Sequence, residues 1–108
     1  MNRITLSGNL AKDPLLMGEG ESRWGVIRIA QNFKRGEDLR TLFIDVKLFG
    51  GAFRDFEYYT PEKGDKVVVT GRLTCDEYKD GNDVNRVSMA INADSLMKAD
   101  VKKNEPEF

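Results

Sequence analysis

Histidine is absent from the 108 residues, and cysteine occurs once, at Cys75. Without histidine the chain cannot build a Ser/His/Asp or Cys/His catalytic set, nor a Cys/His metal site. The segment MGEGES lacks both the spacing and the lysine of a phosphate-binding loop. Carboxylates alone could hold Mg²⁺ or hydrolyse a glycoside, but the 18 acids are scattered along the chain. We therefore predict that the protein is not an enzyme and uses no metal or other cofactor.

Long apolar runs are also missing. No stretch approaches the roughly 20 apolar residues of a membrane-spanning helix. The N-terminal MNRITLSGN lacks the apolar segment of a signal peptide. One cysteine cannot form an internal disulfide, which is typical of proteins from a reducing compartment. These features predict a cytoplasmic protein with no membrane partner.

The charge is small in sum but uneven in distribution. The net charge is −1, yet the segments predicted below as strands carry seven basic and two acidic residues, a net charge of +5. The basic residues are Arg3, Arg23, Arg28, Lys47, Lys66, Arg72 and Arg86, and the acids are Asp45 and Asp94. A basic sheet with acidic connections would fit a polyanion. Arginines that only solubilise exposed strands explain the charge equally well.

An alternation with period two predicts five strands, over residues 3–10, 22–33, 41–49, 66–75 and 86–97. The side chains predicted to point inward include Ile4, Leu6, Leu10, Ile27, Ile29, Leu42, Ile44, Val46, Leu48, Val87, Met89, Ile91 and Ala93. Residues 34–40 are predicted as a polar hairpin loop, and residues 51–60 as the one helix, with an apolar stripe at Ala52, Phe53, Phe56 and Tyr59. Gly71 predicts a sharp bend or a close approach of another backbone.

These elements predict an all-β domain with one short helix. Five strands in an open sheet would expose two edges, and closure into a Greek-key barrel removes them. The element order, with the helix between strands 3 and 4, is that of the five-stranded OB-fold. We predict this domain over residues 1–98 and a short, disordered polar tail over residues 99–108.

Two strands carry unusual side chains on the face that points away from the core. In TLFIDVKLFGG this face holds Phe43, Lys47 and Phe49, where a strand exposed to water normally shows polar groups. The outward face of the second strand is apolar too, at Trp24 and Val26. Soluble monomers avoid such patches. We therefore predict an oligomer interface formed by Trp24, Val26 and, from the first strand, Ile4.

Four blocks of sequence carry a resemblance to a known family. ITLSGNLAKDP, FIDVKLFG, KGDKVVVTGRL and YKDGND resemble the first strand, third strand, fourth strand and following hairpin of bacterial and phage single-stranded DNA-binding proteins. The blocks occur in the family's order, from about residue 2 to residue 97. The resemblance implies an OB-fold that binds and protects single-stranded DNA in replication, recombination and repair, with little regard to sequence.

The resemblance also implies site residues. The positions of the family's stacking aromatics are held here by Phe33, Phe43, Phe49 and Tyr78. Phosphate contacts are implied for Lys47, Arg28, Arg72 and Arg86, and closure over the strand for Lys34, Arg35 and Lys79 at the hairpin loops. Asp45 departs from the family, which commonly has a basic or neutral residue there. It should repel phosphate unless Arg28 or Arg72 pairs with it.

The resemblance further implies a homotetramer, with a dimer as the alternative. The long linker of the bacterial members is missing, and their acidic tip is reduced to Glu105-Pro106-Glu107-Phe108, which would contact replication or recombination proteins. This compact form suggests a phage or mobile-element protein, working in a bacterial cell or a phage-infected host. Two other functions stay open: a protein–protein adaptor of a primosome or recombination complex, favoured by Asp45 and the near-neutral charge, and an RNA-binding OB domain.

Overall fold

The computed structural model describes residues 1–99, which form six strands, one α-helix and one short 3-10 helix. The strands are β1 (Ile4–Leu10), β2 (Leu15–Met17), β3 (Trp24–Arg35), β4 (Asp38–Leu48), β5 (Lys66–Lys79) and β6 (Asn85–Lys98). The 3-10 helix covers Gly20–Ser22, and helix α1 (Gly50–Tyr59) lies between β4 and β5. Residues 100–108 of the predicted tail lie outside the described range.

Strand β1 closes the sheet into a barrel because it pairs along both of its edges. It runs antiparallel to β5 from Ile4 to Asn9, and antiparallel to β3 at Asn9 and Leu10. The ring is completed by the β3–β4 and β5–β6 hairpins and by a parallel pairing of β4 with β6. Five strands thus form a closed barrel with the helix between the third and fourth of them, and the predicted OB-fold is confirmed.

Two glycines allow the backbones to approach where the barrel closes and bends. A Cβ atom at Gly8 would lie 2.5 Å from Cγ2 of Ile29 and 2.6 Å from the carbonyl oxygen of Ala30. At Gly71 it would lie 2.2 Å from the carbonyl oxygen of Asn92, next to a register shift between β5 and β6. No side chain fits at such distances, so the close backbone approach predicted at Gly71 is confirmed.

The barrel interior contains most of the side chains that the alternation predicts. The strand residues of the core that are at most 2% exposed are Leu10, Ile27, Ile29, Val46, Leu48, Val67, Val69, Ile91 and Leu96. Helix α1 packs its predicted stripe against this cluster, with Ala52, Phe53 and Phe56 buried and Tyr59 partly buried. Each large apolar side chain contributes roughly 1.5–3 kcal/mol when fully buried. The core therefore holds the five strands and the helix together as one unit.

The two long hairpins project beyond this core. We call residues 31–42 the β3–β4 arm and residues 74–89 the β5–β6 arm. Neither arm contains a buried residue. The β3–β4 arm turns through Gly36 and Glu37, and Gly36 has the positive φ, 67°, that the first position of a type II′ hairpin turn requires. Five residues, 80–84, connect the strands of the β5–β6 arm.

The arms are where the sequence predictions fail. The loop predicted over residues 34–40 is wrong, because β3 and β4 stay paired to Arg35 and Asp38. The inward positions predicted for Val87 and Met89 are wrong as well, since these side chains are 59% and 52% exposed. Leu42 is 40% exposed for the same reason. All three side chains lie on the face of their strand that points into the barrel, but their positions are in the arms, beyond the end of the hydrophobic core.

Strand β2 was not expected from the turn-rich composition of residues 11–21. Its three residues pair with the start of β3, so that Leu15 lies opposite Val26 and Met17 opposite Trp24. The pairing with β3 gives this segment its strand conformation, although its sequence shows no alternation of apolar and polar residues. Among residues 1–99, no helix is long and apolar enough to span a membrane.

Candidate nucleic-acid interface

The candidate site is the outer face of four neighbouring strands, β3, β4, β6 and β5. Strand pairing sets Lys47 opposite Val26 on one side and beside Asn92 on the other, and Asn92 lies opposite Arg72. These four residues form a row across the sheet. Neither Lys47 nor Arg72 has an acidic partner within 4 Å in the described part of the chain. The row therefore presents two uncompensated positive charges to the solvent.

A second row contains the aspartate that departs from the family pattern. Arg28 and Asp45 are cross-strand partners, and Nη1 of Arg28 donates a hydrogen bond of 3.0 Å to Oδ1 of Asp45. The guanidinium carbon of Arg28 also lies 5.4 Å from the centre of the Phe43 ring. Of the two arginines predicted as possible partners of Asp45, Arg28 and Arg72, it is Arg28 that pairs with it. Because Arg28 compensates Asp45, the pair leaves the face close to neutral at this point rather than negative.

Two aromatic rings of β4 and its end occupy this face. Phe43, across from Ala30, is 52% exposed. Phe49 follows β4 directly as the N-cap residue of α1 and is 43% exposed. Its ring stacks on Trp24, with the centroids 4.8 Å apart and the planes 18° from parallel. A residue implied for DNA stacking is therefore in contact with one predicted for the oligomer interface.

That contact could have been found from strand register. Gly25 lies opposite Leu48, so the next pair along the two strands is Trp24 with Phe49. Cross-strand aromatic pairs are favourable in antiparallel sheets. The patterns of the two separate strands predict different surfaces for Trp24 and Phe49, because neither pattern contains the register between the strands.

The β5–β6 arm brings Tyr78 and Arg86 together as cross-strand partners, and Tyr78 is 52% exposed. Arg86, however, has an acidic partner: its Nε donates a 2.8 Å hydrogen bond to Oδ2 of Asp80. Oδ1 of Asp80 accepts hydrogen bonds from the backbone N–H groups of Asn82 and Val84. The hydrogen bond from Arg86 and the two backbone bonds lower the pKa of Asp80 below its ordinary value of 3.8.

Lys79 on the same arm lies 3.6 Å from Asp83. Both basic residues implied for DNA contact on this arm thus have a carboxylate beside them within the hairpin. They hold the turn in place as well as presenting charge. On the β3–β4 arm, Lys34 and Arg35 have no acidic partner within 4 Å among residues 1–99.

Strand alternation separates the eleven predicted contact residues into two groups. The outer face holds Phe43, Phe49, Tyr78, Lys47, Arg28, Arg72, Arg86 and Lys34. Phe33, Arg35 and Lys79 lie on the opposite face of the arms, which continues the barrel interior. Phe33 is 44% exposed there, and its cross-strand partner is Arg40. Arg40 is a basic residue missing from the predicted contacts, because the predicted loop over residues 34–40 includes it.

The predicted interface residues lie at the other side of the sheet. Trp24 and Val26 are partly buried on the outer face, flanked by β2. Ile4 is partly buried against the core, in a part of β1 that pairs with β5. Within residues 1–99, the opposite edge of β1 pairs with β3 only at Asn9 and Leu10, so the main chain of Ile4–Ser7 has one edge without a strand.

Comparison with known proteins identifies relatives over most of the chain. Residues 1–99 match the model of a family described as the single-strand binding protein family. The chain is 32% identical over 114 residues to the single-stranded DNA-binding protein of Helicobacter hepaticus, covering 98% of this chain and 65% of the relative. It is 27% identical over 110 residues to the mitochondrial single-stranded DNA-binding protein 1-B of Xenopus laevis, covering 90% and 74%.

A solved structure supports the fold. The Plasmodium falciparum SSB in complex with single-stranded DNA superposes with a TM-score of 0.77 at 18% identity, covering 93% of this chain and 96% of that one. At this identity the likeness speaks for the barrel architecture alone.

Proposed function

The chain belongs to the single-strand binding protein family, and we propose that it binds single-stranded DNA on the outer face of β3, β4, β6 and β5. The observation that carries the proposal is the exposed ring of Phe43 on the same face as the row that contains Lys47 and Arg72, with the Arg28–Asp45 pair between them. The ring offers a surface for an unpaired base, and the row offers charge for the neighbouring phosphates.

The mechanism that this face supports is stacking combined with electrostatic attraction. Every base has a π-face, so stacking on Phe43, Phe49 and Tyr78 tolerates any sequence, and each stacked base contributes on the order of 1–3 kcal/mol. Lys47 and Arg72 neutralise phosphates and release their counterions. Phe33 lies on the opposite face, so a strand that reaches all four rings would have to pass around the β3–β4 arm. Nothing in this mechanism needs a reaction or a cofactor, and we propose a non-enzymatic protein of the cytoplasm.

We also propose that the chain assembles into a homotetramer, with a dimer as the alternative. The edge of β1 at Ile4–Leu6, which pairs with no strand among residues 1–99, would pair with its symmetry mate, and Trp24 and Val26 would lie at a second contact. Several barrels would present several weak sites to one DNA strand at high effective concentration. Val26→Asp should therefore lower the molar mass in light scattering and weaken DNA binding together. A wild-type monomer at micromolar concentration would overturn the assembly proposal.

The domain boundary and the tail complete the proposal. Residues 1–98 would bind DNA, and Glu105-Pro106-Glu107-Phe108 would recruit replication or recombination proteins. Of the other functions, the adaptor loses part of its support, because Arg28 compensates Asp45. RNA binding is distinguished from DNA binding by the competition experiment with oligo-U described next.

The test is fluorescence anisotropy of labelled oligo-dT at several salt concentrations, with oligo-U and duplex DNA as competitors. We expect oligo-dT to compete best and log K to fall linearly with log salt. Lys47→Gln should flatten the slope by about 0.7, the value for one phosphate on a single strand. Lys63→Gln, in the connection before β5, is the matched control and should leave the slope unchanged. Absence of oligo-dT binding, or a binding constant independent of salt, would contradict the proposal.

A further inference from the structure

We propose that Asp45 is a specificity-determining residue, which makes the Phe43 position favour a base with N–H donors on its Watson–Crick edge, guanine above all, and disfavour thymine. This inference rests on the proposed function, because it concerns a base stacked on Phe43. It adds a preference at one position to stacking that is otherwise indifferent to sequence.

The first step is the placement of the carboxylate beside the ring. Asp45 and Phe43 are two residues apart on the same face of β4, which corresponds to about 7 Å along the strand. The Asp45 side chain is 45% exposed. The edge of a base that stacks on the ring can therefore reach the carboxylate. Lys47, the next residue on this face, lies beyond it.

The second step is the state of the two carboxylate oxygens. Oδ1 accepts the 3.0 Å hydrogen bond from Arg28. Oδ2 accepts no hydrogen bond from the described residues, and it is the oxygen available to a ligand. Arg28 is itself held by two contacts, the hydrogen bond to the carboxylate and the Phe43 ring, whose centre lies 5.4 Å from its guanidinium carbon. The carboxylate is thus held in place, and its charge is balanced by a neighbour that cannot lose its proton.

The third step is the chemistry of the bases. An ionised carboxylate only accepts hydrogen bonds. Unpaired bases present their Watson–Crick edges to protein groups. Guanine shows two adjacent donors there, N1–H and the N2 amino group, whereas cytosine and adenine show one amino group each. Thymine flanks its single N3–H with two carbonyl oxygens, whose lone pairs face the carboxylate. The expected order is guanine first, cytosine and adenine next, and thymine last.

The experiment compares equal-length oligonucleotides in which thymine alternates with guanine, inosine, cytosine or adenine, and oligo-dT itself, by anisotropy. Inosine retains the bicyclic ring and N1–H of guanine but lacks the N2 amino group, so it separates stacking from hydrogen bonding without any protein variant. We expect guanine to exceed inosine by about tenfold, the factor that one charge-assisted hydrogen bond supports. In Asp45→Asn, which keeps an oxygen for Arg28, this ratio should fall toward one.

Glu77→Gln is the matched control. It makes the same change of charge on the opposite face of the β5–β6 arm, and should leave the guanine-to-inosine ratio unchanged. Equal binding of guanine and inosine oligonucleotides by the wild type would overturn the inference and leave the proposed function standing. A ratio that persists in Asp45→Asn, or that falls equally in Glu77→Gln, would overturn it too. Failure of the wild type to bind any of the strands would contradict the proposed function itself.

Discussion

The two arms are built alike but differ in charge and in the way their turns are held. The β3–β4 arm carries three basic and two acidic residues, a net charge of +1, whereas the β5–β6 arm carries two basic and four acidic residues, a net charge of −2. A two-residue turn with a left-handed Gly36 ends the first arm. A five-residue turn organised by Asp80 ends the second.

This difference separates two uses of a basic side chain. On the β3–β4 arm, Lys34 has no carboxylate within 4 Å among residues 1–99, so its charge is available to a phosphate. On the β5–β6 arm, Arg86 and Lys79 are paired with Asp80 and Asp83. The family resemblance implies DNA contact for all three residues, through phosphate binding by Arg86 and through closure over the strand by Lys34 and Lys79. Their surroundings favour the first arm as the one that attracts a DNA strand.

The largest expected effect comes from the outer-face aromatic residue of each hairpin, Phe43 at the base of the β3–β4 arm and Tyr78 next to the tip of the β5–β6 arm. Phe43→Ala should weaken oligo-dT binding by roughly 1–3 kcal/mol, the value of one lost stacking surface. Tyr78→Ala should weaken it less, because Asp76 repels phosphates near that ring and Asp80 already offsets the charge of Arg86 beside it. Anisotropy titrations measure both, with circular dichroism to check folding. An unchanged affinity in folded Phe43→Ala, or a larger loss of affinity in Tyr78→Ala, would contradict the assignment of the β3–β4 side as the stronger DNA contact.

The next effect concerns the turns. Gly36 has a φ of 67°, which other residues adopt at a cost, so Gly36→Ala should lower the free energy of unfolding by about 1 kcal/mol. Gly81 in the other turn has no positive φ and open space around its Cα. Gly81→Ala should therefore be neutral or slightly stabilising. Urea unfolding of the two variants measures the difference, and equal stabilities would contradict it.

A smaller effect is expected from single charges. Lys34→Gln should flatten the salt dependence of oligo-dT binding by about 0.7 in the log–log slope. Lys79→Gln should flatten it less, since Asp83 lies 3.6 Å from the ammonium group and already offsets its charge. Titrations between low and moderate salt give both slopes. The same loss of slope in both variants would show that the ion pair on the β5–β6 arm opens when DNA binds.

The smallest effect is local and depends on pH. The pKa of Asp80 is lowered in the folded protein, so the unfolded chain binds its proton more tightly. The contribution of Asp80 to the turn is therefore fully present above the ordinary value of 3.8 and is lost as the pH falls through the lower, folded value. The protection of the Val84 amide against exchange, relative to the intrinsic exchange rate at the same pH, should fall in that range. Asp80→Asn should remove this pH-dependent loss of protection, and the Gly36 amide of the other turn should show no such loss.

The sequence predicts the barrel well because there the alternating apolar residues are the ones that are buried in the core. Ile27, Ile29, Val46 and Ile91 point inward as expected, and each is at most 1% exposed. In the arms both faces meet solvent, so the same alternation at Val87 and Met89 continues without a core behind it. Nothing local marks where the core ends.

The site was predicted residue by residue and not as a surface. The sequence predicts that Asp45 needs an arginine, and Arg28 provides it. The stacking of Trp24 on Phe49 and the pairing of Phe33 with Arg40 depend on strand register. Register in turn depends on the length of a hairpin turn, and the predicted seven-residue loop is in fact the two residues Gly36 and Glu37. Because the predicted turn is too long, the sequence predicts neither the Trp24–Phe49 contact nor the pairing of Phe33 with Arg40.

The double pairing of β1 also bears on how the chain reaches this structure. Each arm joins strands that are neighbours in sequence, and such hairpins form within microseconds. The pairing of Ile4 with Gly71, by contrast, joins residues 67 positions apart, and contacts of that separation slow folding. We expect closure by β1 to be the late, rate-limiting step. Leu6→Ala, which removes a β1 side chain packed against the core, should then slow refolding in stopped-flow measurements, because the lost contact forms in the rate-limiting step. A variant that unfolds faster but refolds at the wild-type rate would show that closure follows the transition state and is not rate-limiting.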